Sequence, residues 1–277
     1  MPTIAMTQEM GSLSKDVALQ LTQTMNLTVL RHEVAEHVAG KMHVPTSLIN
    51  RLREGKAGLV ERITTDQERL ALYTAEQVLE LANRGQVVIR GWGATCLLRP
   101  VPHVVCIRVT RSFKKRVEWL MENLEIDDRE FAEVEIRRSD EAHASRMHQQ
   151  FGVTWGDPLL YDLVLNTDRL TVEGCVEQIR LLTGRPEFQE SSGSHAILAN
   201  LTLEARIRAT LKKETATQNV NITIESRSGQ VTLRGIVLNG DERTKTEKIT
   251  TAVAGVESVA NELRVMASSR LFTSAKY

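Results

Sequence analysis

The sequence predicts an α/β fold in which helices wrap a parallel sheet, followed by a small α+β domain. Up to residue 182, short apolar strands alternate with helical patterns, the order typical of parallel βα units. From residue 201 the order is helix, strand, strand, helix, strand. Residues 183–196 separate the two parts, contain Gly, Pro and a Ser-Ser-Gly-Ser run, and show no periodicity. We interpret them as an interdomain linker.

The elements of the first part follow from hydrophobic periodicity. Two strands, QVVIRG and HVVCIRV, are nearly continuous apolar runs, as in strands buried on both faces. The predicted strands are residues 2–7, 26–30, 86–91, 103–109 and 160–167. The helices show apolar residues at helical spacing, such as Val17, Leu21 and Met25. The predicted helices are residues 16–25, 32–41, 67–83, 114–123, 128–150 and 172–182.

The second part alternates apolar and polar residues over short stretches. The alternating apolar positions are Val220, Ile222, Ile224, Val231 and Leu233. The turn SRSGQ between them places a glycine where positive φ is needed. Amphipathic helices are predicted over residues 201–213 and 244–253, with Gly255 at a C-cap, and a last strand over residues 259–266. This order predicts a sheet covered by one helical layer.

Length and charge limit the classes of function. The chain has 277 residues and 42% hydrophobic content, enough for one large domain or two unequal domains. Lys+Arg and Asp+Glu number 35 each, so the neutral chain predicts no bulk binding of nucleic acid. No apolar run is long enough to cross a bilayer, and the N-terminus lacks the pattern of a signal peptide. These features predict a cytoplasmic protein.

The three cysteines, Cys96, Cys106 and Cys175, are widely spaced and lie in largely apolar surroundings. Their spacing predicts free buried thiols in a reducing compartment, and it predicts no metal site.

The stretch MTQEMGSLSKDVALQL joins the first strand to the first helix, where phosphate-binding loops lie. The usual G-x-x-x-x-G-K-[ST] is not present, and Gly11 is instead followed by Lys15 four residues later. From these residues alone, the stretch is either a phosphate-binding loop that has lost glycines or an ordinary exposed turn.

Three longer stretches carry a family resemblance. MPTIAMTQEMGSLSKDVA, VVIRGWGA and EIRRSDEAHASRMHQQFGVTWGDPLLYDLVLNTDRLTVEGCVEQI, in this order, resemble the cytidylate kinase-like family of P-loop nucleoside monophosphate kinases over residues 1–184. GQVTLRGIV and GVESVANELRV resemble a BON domain over residues 198–267. Residues 185–197 then form a flexible linker and residues 268–277 a C-terminal tail.

The resemblance implies a nucleotide site. The nucleotide-binding residues it implies are Gly11, Ser12, Lys15, Asp16, Gly91, Trp92 and Gly93. The catalytic residues it implies are Lys15, Arg137, Arg138 and Asp140. In this scheme Arg137 and Arg138 neutralise charge that develops during phosphoryl transfer, and Asp140 orients them. The cofactor is Mg²⁺ bound with ATP, and no metal-ligand cluster of the protein is implied.

The phosphate loop departs from the family pattern. Leu13 and Ser14 stand where the family has two glycines, which allow the backbone to approach phosphate closely. Lys15 matches the basic residue of the family, and Asp16 falls where related kinases place a metal-binding hydroxyl or an acidic residue. The loop thus keeps its cation, and we expect weakened affinity for phosphate.

The acceptor side departs too. Gly91-Trp92-Gly93 replaces Gly-Arg-Gly, so an arginine that meets the acceptor phosphate is lost. Trp92 either stacks a base or fills the vacated pocket. Arg31 stands where the family has an aspartate. His143 stands where the family often has arginine, and Arg146, on nearly the same helical face, compensates for it. The remaining alternative for Arg137 and Arg138 is a solvated helix face.

Three classes of function follow. The first is a phosphotransferase from ATP to a nucleoside monophosphate, with weak or lost activity. The second is a catalytically inactive nucleotide sensor or scaffold. In the third, residues 198–267 set the function by targeting an anionic lipid surface or a protein partner. The cations of that part are Lys212, Lys213, Arg243, Lys245 and Lys248.

Overall fold

The structure, a computed structural model, describes residues 2–30 and 32–266. Arg31 and the predicted tail, residues 268–277, therefore lie outside the described residues. The chain divides into a first unit, Met1–Leu198, and a second unit, Ala199–Tyr277.

Within the described residues, the first unit is built on a five-stranded parallel sheet. Its strands are β1 (Thr3–Gln8), β2 (Thr28–Leu30), β3 (Val87–Arg90), β4 (Val104–Thr110) and β5 (Leu163–Asn166). They lie in the order β2-β3-β1-β4-β5, and Ile4 of β1 aligns with Val88 on one side and Val105 on the other. The predicted parallel sheet is confirmed, and the apolar runs form its core because helices cover both faces.

The described helices of the first unit connect its strands or follow the last strand in the chain. They are α1 (Ser14–Met25), α2 (Glu33–Met42), α3 (Thr46–Glu54), α4 (Leu59–Thr64), α5 (Gln67–Asn83), α6 (Ala94–Leu97), α7 (Phe113–Leu124), α8 (Arg129–Phe151) and α9 (Val172–Thr183). In α1, Val17 and Leu21 are fully buried in the sheet core together with Ile179 of α9. The α7–α8 pair forms a smaller apolar cluster that includes Val117 and Ile136.

Three short helices, α3, α4 and α6, are not predicted from the sequence. In α3 only Ile49 is buried, and α4 buries no residue at all, so neither shows a clear apolar stripe. At the end of α3, Gly55 has φ +73°, and a Cβ placed there would lie 2.5 Å from Cβ of Ala142 on α8. The glycine therefore lets α3 approach α8 more closely than any other residue would allow.

The second unit has a three-stranded sheet within the described residues, in the order β6 (Thr223–Arg227), β7 (Gln230–Val237), β8 (Ser258–Val265). β6 and β7 are antiparallel and joined at Ser228 and Gly229, whose φ values of 50° and 82° are those of a primed hairpin turn. The helix α11 (Gly240–Thr251) leads to β8, which runs parallel to β7. The predicted small α+β domain is confirmed.

The segment predicted as a linker contains more regular structure than its composition indicates. Pro186–Phe188 form a 3₁₀ turn, and the helix α10 covers Ser192–Lys213, so it starts before residue 201. Ser191 and Ser194 cap its start reciprocally: each backbone N–H donates to the hydroxyl of the other, over 3.0 and 3.1 Å. The Ser-Gly-rich run therefore begins a helix.

Cys106 and Cys175 are buried free thiols, whereas Cys96 is only partly buried.

Across residues 2–30 and 32–266, no helix is both long and apolar enough to span a membrane.

Candidate functional site

The turn between β1 and α1 is the predicted phosphate loop, and its glycine packs against α7. Gly11 has φ +78°, and a Cβ on it would lie 3.1 Å from the carbonyl oxygen of Arg116 and 3.1 Å from Cε3 of Trp119. Any side chain at residue 11 would crowd these atoms of α7. The glycine therefore allows the loop to contact this helix.

Leu13 is held in a strained conformation at the start of α1. Its φ of 61° and ψ of 12° are left-handed, where the family places glycine, and a non-glycine residue costs about 1–2 kcal/mol there. Beside it, Ser12 is 1% exposed, and its hydroxyl has no hydrogen-bond partner in the described residues. Strain and an unpaired buried hydroxyl coincide at one turn, as is common at binding sites.

Lys15 and Asp16 lie on the exposed first turn of α1. The N-terminus of a helix carries partial positive charge, so Lys15 adds a full cation to a position that already favours an anion. Asp16 places a carboxylate next to it.

Below the loop lies an ion network that the sequence analysis missed. The carboxylate of Glu9 accepts hydrogen bonds from Arg108 over 2.6 Å, from the hydroxyl of Thr110 over 2.7 Å and from the backbone of Arg111 over 3.2 Å. Arg108 also donates to the carbonyl oxygen of Trp155 over 2.7 Å. The sequence does contain a signal for this network, which is Arg108 inside the apolar strand HVVCIRV. A buried cation requires a nearby carboxylate, so this arginine predicts an acidic partner.

Asp140 pairs with an arginine of α7. Its two oxygens accept hydrogen bonds from Arg116 over 2.6 and 3.0 Å. Arg116 is 5% exposed at its side chain, lies 3.5 Å from Glu9, and donates through Nε to the carbonyl oxygen of Met10. Asp140 thus joins α8 to α7 and to the loop, and the catalytic role that the resemblance implies for it stays a prediction.

The two predicted arginines of α8 have different surroundings. Arg137 is 62% exposed, and its guanidinium lies 4.3 Å from the ring centroid of Phe113. Arg138 forms an ion pair with Glu135 and lines a cavity. The structure thus brings one of the two arginines to the cavity and leaves the other near the surface.

The Gly91-Trp92-Gly93 turn follows β3 and forms part of the cavity wall. All three residues have positive φ, of 77°, 59° and 69°, and the backbone N–H of Gly91 donates to the carbonyl oxygen of Met6 over 2.8 Å. The guanidinium of Arg53 lies 4.9 Å from the centroid of the Trp92 ring. The tryptophan therefore faces a cation and the cavity.

The cavity has a volume of about 620 Å³ and lies among α3, α4, α5 and α8 of the first unit. Its described lining contains four arginines, Arg53, Arg62, Arg138 and Arg146, and a single acidic residue, Glu141. The loss of an acceptor arginine at Trp92 stays a prediction, and helices distant from Trp92 in the sequence supply four arginines to the cavity that Trp92 lines.

Electrostatics at the cavity are strongly positive. Arg146 donates to the carbonyl oxygens of Leu52 and Arg53, and burial and the charge of Arg53 lower its pKa to about 10. Burial also lowers the pKa of Arg53. Burial, followed by the charges of Arg146, Arg108 and Arg53, lowers the pKa of His143 to about 3. His143 is therefore neutral at physiological pH, which agrees with its ring contact to Trp155 at 4.3 Å.

Comparison with known families assigns both units. The model of the cytidylate kinase-like family matches residues 3–169, more than half of the chain. The model of the BON domain matches residues 200–267. No match was found among curated proteins.

Comparison with solved structures found similar chains. An uncharacterized protein from Eubacterium ventriosum has a TM-score of 0.52 and 18% identity, over 67% of this chain and 100% of that chain. Shikimate kinase from Bacteroides thetaiotaomicron has a TM-score of 0.39 and 16% identity, over 65% and 97% of the two chains. Deoxyadenosine kinase from M. mycoides has a TM-score of 0.37 and 13% identity, over 65% and 97%. At 18% identity the likeness to the protein from Eubacterium ventriosum is one of fold alone, and the two likenesses with TM-scores under 0.5 support no conclusion.

Proposed function

The chain belongs to the cytidylate kinase-like family, and from this premise we propose that its first unit binds a nucleoside monophosphate in the cavity and ATP at the loop of residues 11–16. It transfers the γ-phosphoryl group slowly. The second unit is a binding module that attaches this activity to an anionic lipid surface or a protein partner. We place the protein in the cytosol, where buried thiols such as Cys106 and Cys175 stay reduced.

One observation carries the acceptor site: Arg53 and Arg146 are partly buried cations that form no ion pair within the described residues. A cation withdrawn from water without an anion costs free energy. A phosphomonoester dianion in the cavity would neutralise both guanidinium groups. Arg62 and Arg138 of the same lining add to this attraction.

The donor side is weaker. Lys15 and the backbone of the loop would hold the phosphates of ATP, and the unpaired hydroxyl of Ser12 fits a site that receives an oxygen ligand. Mg²⁺ would arrive with ATP and neutralise its phosphates, and Asp16 is the carboxylate beside Lys15 that would hold it. Leu13 carries a side chain where close approach of phosphate needs none, so we expect low donor affinity.

A second function is binding without turnover. It is favoured by Leu13 and by the position of Arg137, which contacts Phe113 and is 62% exposed. A kinase that lacks a well-placed cation at the transferring phosphoryl group loses much of its rate, because phosphoryl transfer depends on positioning and electrostatics. In this case the first unit would act as a nucleotide sensor.

The second unit supplies surfaces suited to binding. Ile236, Leu238 and Met266 are large apolar residues that are 63%, 61% and 54% exposed. Of the cations named in the sequence, Arg243, Lys245 and Lys248 follow Leu238 within ten residues, whereas Lys212 and Lys213 end α10. Lys245 pairs with Asp241 over 2.6 Å. Apolar and cationic groups together support attachment to an anionic lipid surface.

The test uses calorimetry with cytidylate on the full chain. We expect Arg146→Met to weaken binding by about 1–3 kcal/mol, the scale of a hydrogen bond to a charged group. Arg129→Met is the matched control, because Arg129 lies on the same helix, is 49% exposed and pairs with Glu133. Equal cytidylate affinity in the wild type and Arg146→Met would refute the site. A coupled assay with ATP and Mg²⁺ then separates slow transfer from binding without turnover.

A further inference from the structure

The cavity of the first unit is lined by two chemically different sets of side chains. The first set is the four arginines described above. The second set, called the apolar wall below, is Ile49, Leu52, Leu59, Ile63 and Leu70. A ligand that carries only a phosphate and a polar group would leave the apolar wall in contact with water.

The helix α4 contributes the outer part of the apolar wall. Leu59 and Ile63 lie one helical turn apart, and they are 72% and 74% exposed. The helix is nevertheless well formed, because Arg51 pairs with Glu61 and the carboxylate of Glu61 accepts a hydrogen bond from the backbone of Gly58 over 2.9 Å. Two large apolar side chains are thus presented at the mouth of the cavity on an ordered helix.

Complementarity to both sets of side chains defines the ligand. Arg53 and Arg146 require a compact anion with two charges, as argued for the acceptor. Leu59 and Ile63 pack on little of the protein, so their side chains remain in contact with water. Apolar surface of a ligand that covers them would lower the free energy of the complex. An amphiphile with an anionic phosphate at one end and an apolar group at the other satisfies both requirements.

We propose that this cavity also takes an amphiphilic phosphomonoester, bound as a dissolved monomer. Its phosphate binds Arg53 and Arg146, and its apolar part lies along Leu59 and Ile63. The proposal rests on the proposed function, because it uses the same cavity and the same phosphate contacts as the nucleoside monophosphate.

The test compares binding of inorganic phosphate, ethyl phosphate, butyl phosphate, hexyl phosphate and cytidylate to the full-length chain, by calorimetry. We expect the affinity to rise by about two- to fourfold for each methylene added to the alkyl phosphate. Arg146→Met should weaken binding of every phosphate in the series.

A pair of variants isolates the apolar wall. The double variant Leu59→Ser, Ile63→Ser should abolish the dependence on chain length and leave binding of inorganic phosphate unchanged. Val60→Ser is the matched control: Val60 lies on the same helix and is 73% exposed, but it is not part of the cavity lining. This variant should keep the wild-type dependence on chain length.

Several results would overturn the proposal. If phosphate and cytidylate bind but affinity does not rise with chain length, the amphiphile is wrong and the proposed function stands. If affinity rises equally with the length of the alkyl chain in the double variant, Leu59 and Ile63 do not bind the apolar part of the ligand. Binding only to phosphatidate vesicles, without binding of dissolved alkyl phosphates, would exclude a monomeric ligand. If no phosphate in the series binds, the proposed function fails as well.

Discussion

Arg116 of α7 and Asp140 of α8 form a bidentate pair, with hydrogen bonds of 2.6 and 3.0 Å. The same guanidinium donates to the carbonyl oxygen of Met10 over 2.8 Å and lies 3.5 Å from Glu9. One buried side chain therefore connects the phosphate loop with both helices of the α7–α8 pair.

Asp140→Asn should destabilise the first unit by about 1–3 kcal/mol, because Arg116 then lacks a charged partner while it remains buried. Denaturant unfolding measures the change. Glu133→Gln is the control, since Glu133 forms only exposed pairs on the same helix and should change stability by less than about 0.5 kcal/mol. Equal effects of the two substitutions would show that the Arg116 contact is unimportant.

His143 should make stability depend on pH. Its pKa falls from 6.5 to about 3 on folding, so the unfolded chain binds a proton that the folded chain rejects. The stability from this residue is complete above pH 6.5 and decreases by up to about 1.4 kcal/mol per pH unit as pH falls toward 3.

The measurement compares unfolding free energies between pH 8 and pH 5. Wild type should lose more stability than His143→Gln over this interval. His148→Gln is the control on the exposed side of α8 and should follow the wild type. Parallel pH profiles for wild type and His143→Gln would contradict the assignment.

Gly55→Ala should separate α3 from α8. The new Cβ meets Cβ of Ala142 at 2.5 Å, so overpacking adds about 1–3 kcal/mol to the cost of the left-handed backbone. Gly85→Ala is a matched control with nearly the same φ, +72°, and no atom within 4 Å. It should cost only about 1 kcal/mol.

The double variant Gly55→Ala, Ala142→Gly should recover only the overpacking part of the lost stability. The second substitution removes the clashing methyl group, but the left-handed backbone cost at residue 55 remains and a glycine inside α8 costs about 1 kcal/mol. Thermal or denaturant unfolding of the four proteins is sufficient. If Gly55→Ala is no more harmful than Gly85→Ala, the close approach of α3 and α8 is wrong.

Donor binding should respond in opposite directions to two changes in the loop. Lys15→Ala should weaken ATP binding by about 1–3 kcal/mol, the scale of a charge-assisted contact. Leu13→Gly should strengthen it, because the left-handed backbone is then unstrained and phosphate can approach. Calorimetry with ATP and Mg²⁺ tests both, with Lys114→Ala as the control, because Lys114 is an exposed lysine of α7 outside the predicted site. Unchanged affinity in Lys15→Ala would remove this residue from the site.

The second unit should fold on its own as the fragment of residues 192–266, which keeps all of α10. Its core contains Ile207, Leu233 and Leu263, each at most 3% exposed. The fragment should bind anionic vesicles in a salt-sensitive manner, with about 1 kcal/mol from each cation near the surface. Co-sedimentation with anionic and neutral vesicles is the measurement. Absence of binding by the folded fragment would favour a protein partner.

The sequence by itself determined the sheet and the family. Apolar runs such as those around Val88 and Ile107 are local patterns, because a strand buried on both faces needs apolar residues at nearly every position. The hairpin at Gly229 was equally local, since only a few residue types accept positive φ. Gly11 and Lys15 by themselves left a phosphate-binding loop and an ordinary turn as alternatives, and only the longer stretches that resemble the family favoured the loop.

Only the tertiary structure decided which side chains meet. The helix α10 starts where Ser191 and Ser194 cap each other. The composition of this stretch is typical of a linker, so the sequence did not predict the helix there. The partner of Asp140 and the association of Arg53 with Arg146 join helices far apart in the chain. Hydrophobic periodicity indicates which face of a helix or strand is buried, whereas the contacts between two elements depend on how closely these elements pack. The close approach of α3 to α8 depends on Gly55, and no local sequence pattern predicts this contact.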